Sequence, residues 1–227
     1  AYESALPNVL NNLSLKVASG ETIALVGRTG SGKTTLTDLL LGFYRPTVGD
    51  IRVGGQSLSA MALTQLRENI ALIPQYSEIF QGTVRDNIAY GALSDASDAD
   101  IMRAATMAHA VEFIDRLPLG LDTVLGEQGV RLSGGQRQAL SIARALVSNP
   151  AVIVMDEPTS AMDNATEQEL VLRLKASLAN KTVILITHRG SLLSLVDRVV
   201  ILDSGRIMAD GPKEQVLNKL ASKKVAR

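Results

Sequence analysis

Short apolar runs set the rhythm of this chain. Thr22-Ile23-Ala24-Leu25-Val26, Ala151-Val152-Ile153-Val154-Met155, Thr182-Val183-Ile184-Leu185-Ile186 and Arg198-Val199-Val200-Ile201-Leu202 are continuous enough to predict strands buried on both faces. Leu13-Ser14-Leu15-Lys16-Val17 alternates apolar and polar positions and predicts a half-buried strand. Asp50–Val53 and Ile70–Ile73 predict two more, with a short helix over Leu63–Glu68 between them. Helical spacing takes over where Leu36, Leu39 and Leu40 recur within Thr34–Leu41, ahead of a stop at Gly42. Ala165–Ala176 and Leu192–Val196 predict helices between the later runs, and Pro212–Leu220 a last one with proline in its first turn.

From Gln75 onward the strand-like runs disappear. Ala99–Ala110, Val111–Leu117 and Gln136–Leu146 are helix-compatible, the last stopping near Asn149-Pro150. Residues 76–149 therefore read as a helical lobe inserted into a core built from 1–75 and 150–227. Buried strands alternating with helices predict an α/β fold whose mainly parallel sheet is covered on both faces.

Composition narrows the chemistry. With 227 residues, 46% hydrophobic and 20% charged, the chain is globular in character and long enough for one large core. The 23 basic and 23 acidic side chains cancel, so no electrostatic footprint for nucleic acid is present. There are no cysteines and only two histidines, His109 and His188, which excludes disulfides, thiolate metal sites and histidine-rich clusters. No apolar run reaches the roughly 20 residues a membrane-spanning helix needs, and no signal peptide opens the chain. Alanine at the first position suggests a segment of something longer.

Gly27-Arg28-Thr29-Gly30-Ser31-Gly32-Lys33-Thr34 follows a predicted buried strand and opens a predicted helix. That is the context of a phosphate-binding loop: the glycines let backbone N–H groups turn toward phosphate oxygens, Lys33 supplies a point charge, and the Thr34 hydroxyl suits Mg²⁺. Asp156-Glu157 ends an apolar strand, fitting a Mg²⁺-associated carboxylate and a general base for an attacking water. Gln75 reads first as a polar turn residue, with an amide touching Mg²⁺ or that water as the alternative. His188 follows the strand Thr182–Ile186 and reads either as a donor to a terminal phosphate or as a turn-capping histidine. His109 falls in the helical lobe and receives no catalytic role. Ser133-Gly134-Gly135-Gln136 offers a hydroxyl and backbone N–H groups just before a helix, a second anion-binding pattern.

In this order the motifs resemble the nucleotide-binding domain of an ABC transporter over essentially the whole chain. The resemblance implies a P-loop NTPase (RecA-like) core, an antiparallel β subdomain and the inserted helical subdomain. Gly27–Thr34 resembles Walker A, so Thr29, Gly30, Ser31, Gly32, Lys33, Thr34 and Thr35 are expected around the phosphates of ATP. Gln75 resembles the Q-loop glutamine, Leu132–Gln136 the signature, Asp156 the Walker B aspartate, and Glu157 the catalytic glutamate. Ser160-Ala161-Met162-Asp163 resembles the D-loop and His188 the switch histidine. Tyr2 stands where this family often stacks an aromatic ring on adenine, and the antiparallel subdomain is expected to lack an edge strand before it.

The family pattern further implies a second copy in a head-to-tail ATP sandwich. There Ser133, Gly134, Gly135 and Gln136 of one copy would face the nucleotide of the other, with transmembrane domains of an exporter as partners. Gly126-Glu127-Gln128-Gly129 resembles the exporter segment facing those domains. Asp156–Asn164 and Ile207–Lys213 look most like bacterial type I secretion ATPases, which implies a periplasmic adaptor, an outer-membrane channel and the cytoplasmic face of the inner membrane. A lipid, peptide or drug exporter is the alternative. Chromosome-maintenance ATPases share the head architecture but need a coiled-coil insertion for which the spacing between Gly27 and Ser133 has no room.

Overall fold

Each continuous apolar run becomes a strand of one sheet. The structure, a computed structural model, describes residues 8–126 and 132–225. Its first half runs β1 (Thr22–Val26), α1 (Lys33–Leu40), β2 (Arg52–Val53), β3 (Gln56–Ser57), α2 (Leu63–Asn69) and β4 (Ile70–Ile73). A mostly helical stretch follows: β5 (Gly82–Thr83), α3 (Val84–Ile88), α4 (Asp98–Met107), α5 (Val111–Ile114), β6 (Val124–Leu125) and α6 (Gly134–Leu146). The chain ends with β7 (Val152–Asp156), α7 (Asn164–Ser177), β8 (Thr182–Ile186), β9 (Arg198–Asp203), β10 (Arg206–Pro212) and α8 (Lys213–Val225).

The six-stranded sheet has the order β10-β9-β1-β8-β7-β4, parallel except for β10 at one edge. Alternate residues feed its two faces. Ile23, Leu25, Ile184, Ile186, Val200 and Leu202 form a cluster on one side, joined by Leu36 and Leu40 of α1. Ala24, Val183, Leu185 and Val199 face the larger cluster built with α4, α6 and α7. Each fully buried aliphatic side chain contributes about 1.5–3 kcal/mol, which is why the sheet is covered on both faces.

Two sequence expectations are corrected. Leu13–Val17 is not a strand: Leu13, Leu15 and Val17 do pack on the smaller cluster, but no described strand offers them a ladder. Its alternation reports a half-buried surface, which is only one of the two things a strand needs. Pro212 closes β10, opposite Arg198, and the helix starts one residue later at Lys213. The strand β10 had no apolar run to announce it. Among the described residues, antiparallel pairing away from the main sheet is limited to β2–β3 and β5–β6.

The functional consequence of the strand order is simple. β1, β8 and β7 are neighbours, in registers that pair Leu25 with Ile186 and Asp156 with Ile186. The loops leaving their carboxyl ends therefore emerge side by side, where open α/β sheets bind ligands.

Candidate functional site

The loop after β1 is shaped by backbone that only glycine tolerates. A Cβ on Gly27 would lie 2.3 Å from the Leu202 carbonyl oxygen of β9, so any larger residue would push the loop off the sheet. Gly32 has φ +103° and caps α1 without a side-chain acceptor, leaving the first N–H groups of that helix facing the loop. Gly30, at φ +79°, has nothing within 4 Å of where a Cβ would stand, which leaves an open cradle. Lys33 Nζ donates to the carbonyls of Gly27 (2.7 Å) and Arg28 (2.9 Å), so the ammonium spans the loop's mouth. Ser31 is buried, whereas Thr29 and Thr34 are exposed and Thr35 half-buried.

Two strands away, Glu157 follows β7 at φ +45°, a left-handed turn that aims its side chain back over the sheet edge. Three donors hold the carboxylate. Thr187 Oγ1 donates to Oε2 (3.1 Å), and the His188 N–H donates to Oε1 (3.1 Å). His188 Nδ1 lies 2.6 Å from the same Oε1, so the carboxylate fixes the proton on Nδ1. The Glu157 side chain is 13% exposed while that of His188 is 81% exposed: the base is sheltered and the imidazole reaches out. Val26, Gly27, Arg28, Thr29, Lys33, Glu157, Thr187 and His188 line one cleft of about 580 Å³. Next to it, burial pushes the Asp156 carboxyl above its ordinary range; the Glu157 charge adds to that and Lys33 opposes it.

The other expected residues form a second group. Ser133 caps α6 by accepting from the Gln136 N–H (3.2 Å), while Gln136 Oε1 accepts from the Ser133 N–H (2.9 Å). Gly134 packs close to Ala161, with only 3.2 Å between its would-be Cβ and the Ala161 Cβ. None of Ser133, Gly134, Gly135 and Gln136 lines the cleft of their own chain. Gln75 follows β4 half-buried, and its carbonyl accepts from Ser160 Oγ (3.2 Å). Tyr2 and Glu127 lie outside the described residues. His109 is elsewhere: its Nε2 meets Glu169 (2.8 Å) and ties the end of α4 to α7.

Sequence reasoning missed the connecting side chains. Gln138, buried in α6, accepts from Ser77 Oγ (2.6 Å) and donates to the Pro74 carbonyl (3.2 Å), joining the signature helix to both sides of Gln75. Thr187, Arg189 and Glu167 were missed as well. Glu167 carried a readable signal, because it shares the helix face of Leu170, Val171 and Leu174, an odd place for a charge.

A phosphate cradle at a helix N-terminus, beside a sheltered carboxylate and an imidazole at the sheet's carboxyl edge, defines a P-loop nucleotide hydrolase. Residues 10–160 match the ABC transporter family, and the chain belongs to that family. It is 44% identical over 216 residues to an ATP-dependent lipid A-core flippase of Nitrosococcus oceani, covering 95% of this chain and 36% of that protein. It is 44% identical over 211 residues to the heterocyst differentiation ATP-binding protein HepA of a Nostoc species, covering 93% of this chain and 35% of that protein. Among solved structures, a bacterial Atm1-family ABC exporter with ATP bound superposes with a TM-score of 0.89 at 40% identity, over 96% of this chain and 38% of that one. The chain thus spans about 36% of the length of the first of these relatives. It is an exporter-type ABC ATPase domain, an ATP hydrolase of a class that binds ATP with Mg²⁺. Among the described residues, no helix is long and apolar enough to cross a membrane.

Proposed function

We propose that this domain hydrolyses Mg²⁺-ATP in a site shared between two copies and drives an exporter of amphiphilic lipid-like cargo. Thr29 to Thr35 would cradle the phosphates, with Lys33 exchanging the Gly27 and Arg28 carbonyls for outer phosphate oxygens. Asp156, Thr34 and the Gln75 amide would supply the hard oxygen donors that suit Mg²⁺. Asp156 supports this set: it is a half-buried carboxyl whose charge is disfavoured by burial and by Glu157 and which a cation would neutralise. When bound, that ion supplies charge neutralisation to the phosphate oxygens.

The observation that carries the chemistry is the grip on Glu157. Thr187 and His188 hold its carboxylate at the rim of the cleft that Lys33 also lines. Glu157 would take the proton of the attacking water. His188, held through Nδ1–H by Glu157, would turn its Nε2 edge toward the terminal phosphate and donate to it in the form that carries a proton on both ring nitrogens. Ser133, Gly134, Gly135 and Gln136, placed outside the cleft of their own chain, would complete the cleft of the second copy, and Tyr2 would stack on adenine. Residues 76–149 would act as the helical subdomain that carries this signature, and 1–75 with 150–227 as the core.

The cargo reading follows the lipid A-core flippase at 44% identity. Type I protein secretion, with its periplasmic adaptor and outer-membrane channel, rests on the segments 156–164 and 207–213 alone, and none of the three relatives is named for it. Fused or associated transmembrane domains would place the domain at the cytoplasmic face of the inner membrane.

Glu157→Gln tests the reaction. Turnover should fall at least about a hundredfold, within the range of a lost general base, while equilibrium ATP binding is kept. Turnover that persists in this variant contradicts the assignment.

A further inference from the structure

One buried ion pair joins the loops behind the cleft. Glu167 of α7 is 4% exposed, and its carboxylate accepts from the Arg189 guanidinium and the Ser191 hydroxyl. Arg189 is engaged on two further sides. Its backbone N–H donates to Thr187 Oγ1 (3.0 Å), and Nη2 reaches the Ser160 carbonyl (3.4 Å). Both partners lead to the site: Thr187 Oγ1 donates to Glu157 Oε2 (3.1 Å), and Ser160 Oγ donates to the Gln75 carbonyl (3.2 Å). The base of this arrangement is firm. Asp163 caps α7 through the N–H groups of Ala165 and Thr166, and Leu170, Val171 and Leu174 bury the face that carries Glu167.

We propose that Glu167 and Arg189 are positioning residues for hydrolysis, holding Thr187 against Glu157 and Ser160 against Gln75 so that the loops after β4, β7 and β8 keep one relative geometry. The inference rests on the reading of Glu157 as the general base. A buried ion pair is weak evidence for stability, because desolvation offsets its attraction. What an apolar contact cannot supply is direction, and the planar guanidinium fork does. The side-chain bonds of the pair run to Ser160 and Ser191 and so fix the turn whose Arg189 N–H meets Thr187; none runs to residues 27–34. Breaking it therefore acts on the chemical step and spares nucleotide affinity.

The test compares steady-state ATP turnover and thermal unfolding of the 227-residue chain with Arg189→Met, Glu167→Gln and the double variant. Arg189→Met should lower kcat about ten- to a hundredfold, the cost of a misplaced catalytic group, with KM for ATP changed less than about twofold. It should also lower Tm, because Glu167 is left buried and unpaired. The double variant removes both charges, so Tm should recover while kcat stays low. A kcat that recovers together with Tm, or one that Arg189→Met leaves unchanged, overturns the proposal. Glu157→Gln measured alongside separates the two readings. If that variant is inactive and Arg189→Met is not, only the positioning role falls. If Glu157→Gln turns over normally, the general-base reading falls and the positioning role with it.

Discussion

Asp156 shows how the site trades stability for readiness. Burial first, then the Glu157 charge, raise its carboxyl above the ordinary 3.8. A carboxyl raised on folding stabilises the protein fully below the unfolded value, and that contribution disappears as pH rises through the folded one. At neutral pH, without divalent cation, the ionised Asp156 is therefore a cost. Asp156→Asn should show a higher Tm than the parent at pH 7–8 in chelator, with the gap closing toward pH 3.8, and should lose turnover. A Tm lower than the parent's at neutral pH would contradict this account of the carboxyl. At this scale the sequence disclosed the residues whose chemistry is local: the glycine loop, Asp156, Glu157 and His188 each stand where a strand hands over to a loop. It did not disclose Thr187, Arg189 or Gln138, whose roles exist only through partners remote in the chain.

Elements announced themselves in proportion to their burial. β1, β7, β8 and β9 are buried on both faces, so each appears as an uninterrupted apolar run. The edge strand β10 needs no such run, and polar contacts to its neighbour hold it. Arg198 of β9 donates from Nε and Nη2 to both oxygens of Asp210 (2.6 Å each), and Nη1 reaches the Lys16 carbonyl (2.9 Å) and Glu21 (3.0 Å). Hydrogen bonds from Arg198, its largest cause, hold the Asp210 carboxyl below its ordinary range. That contribution is present above the unfolded value and is lost as pH falls through the folded one. Arg198→Lys keeps the charge but breaks the fork. It should cost about 1–3 kcal/mol in urea unfolding, and amide exchange should accelerate in 206–211 while β1 stays protected. Uniform acceleration across the sheet would show that Arg198 supports the whole core instead. Leu13–Val17 is the converse case, with the right alternation and no partner ladder among the described residues.

At the scale of the molecule, the fold separates the glycine loop from the Ser133–Gln136 turn. The cleft gathers Lys33, Glu157 and His188, while Ser133 to Gln136 open α6 outside it, and among the described residues no element brings them together. The family resemblance, not the spacing, supplied the idea that a second copy closes the site. Net charge is zero, so no net repulsion opposes such pairing, and nucleotide held between the copies would act as the adhesive. The central claim is therefore a concentration effect. The most direct measurement is Mg²⁺-ATP turnover per chain against protein concentration, with light scattering of Glu157→Gln in ATP. A shared site predicts a rate per chain that rises with concentration and an ATP-held dimer of the variant. A rate independent of concentration, with a variant that stays monomeric in saturating ATP, would contradict it.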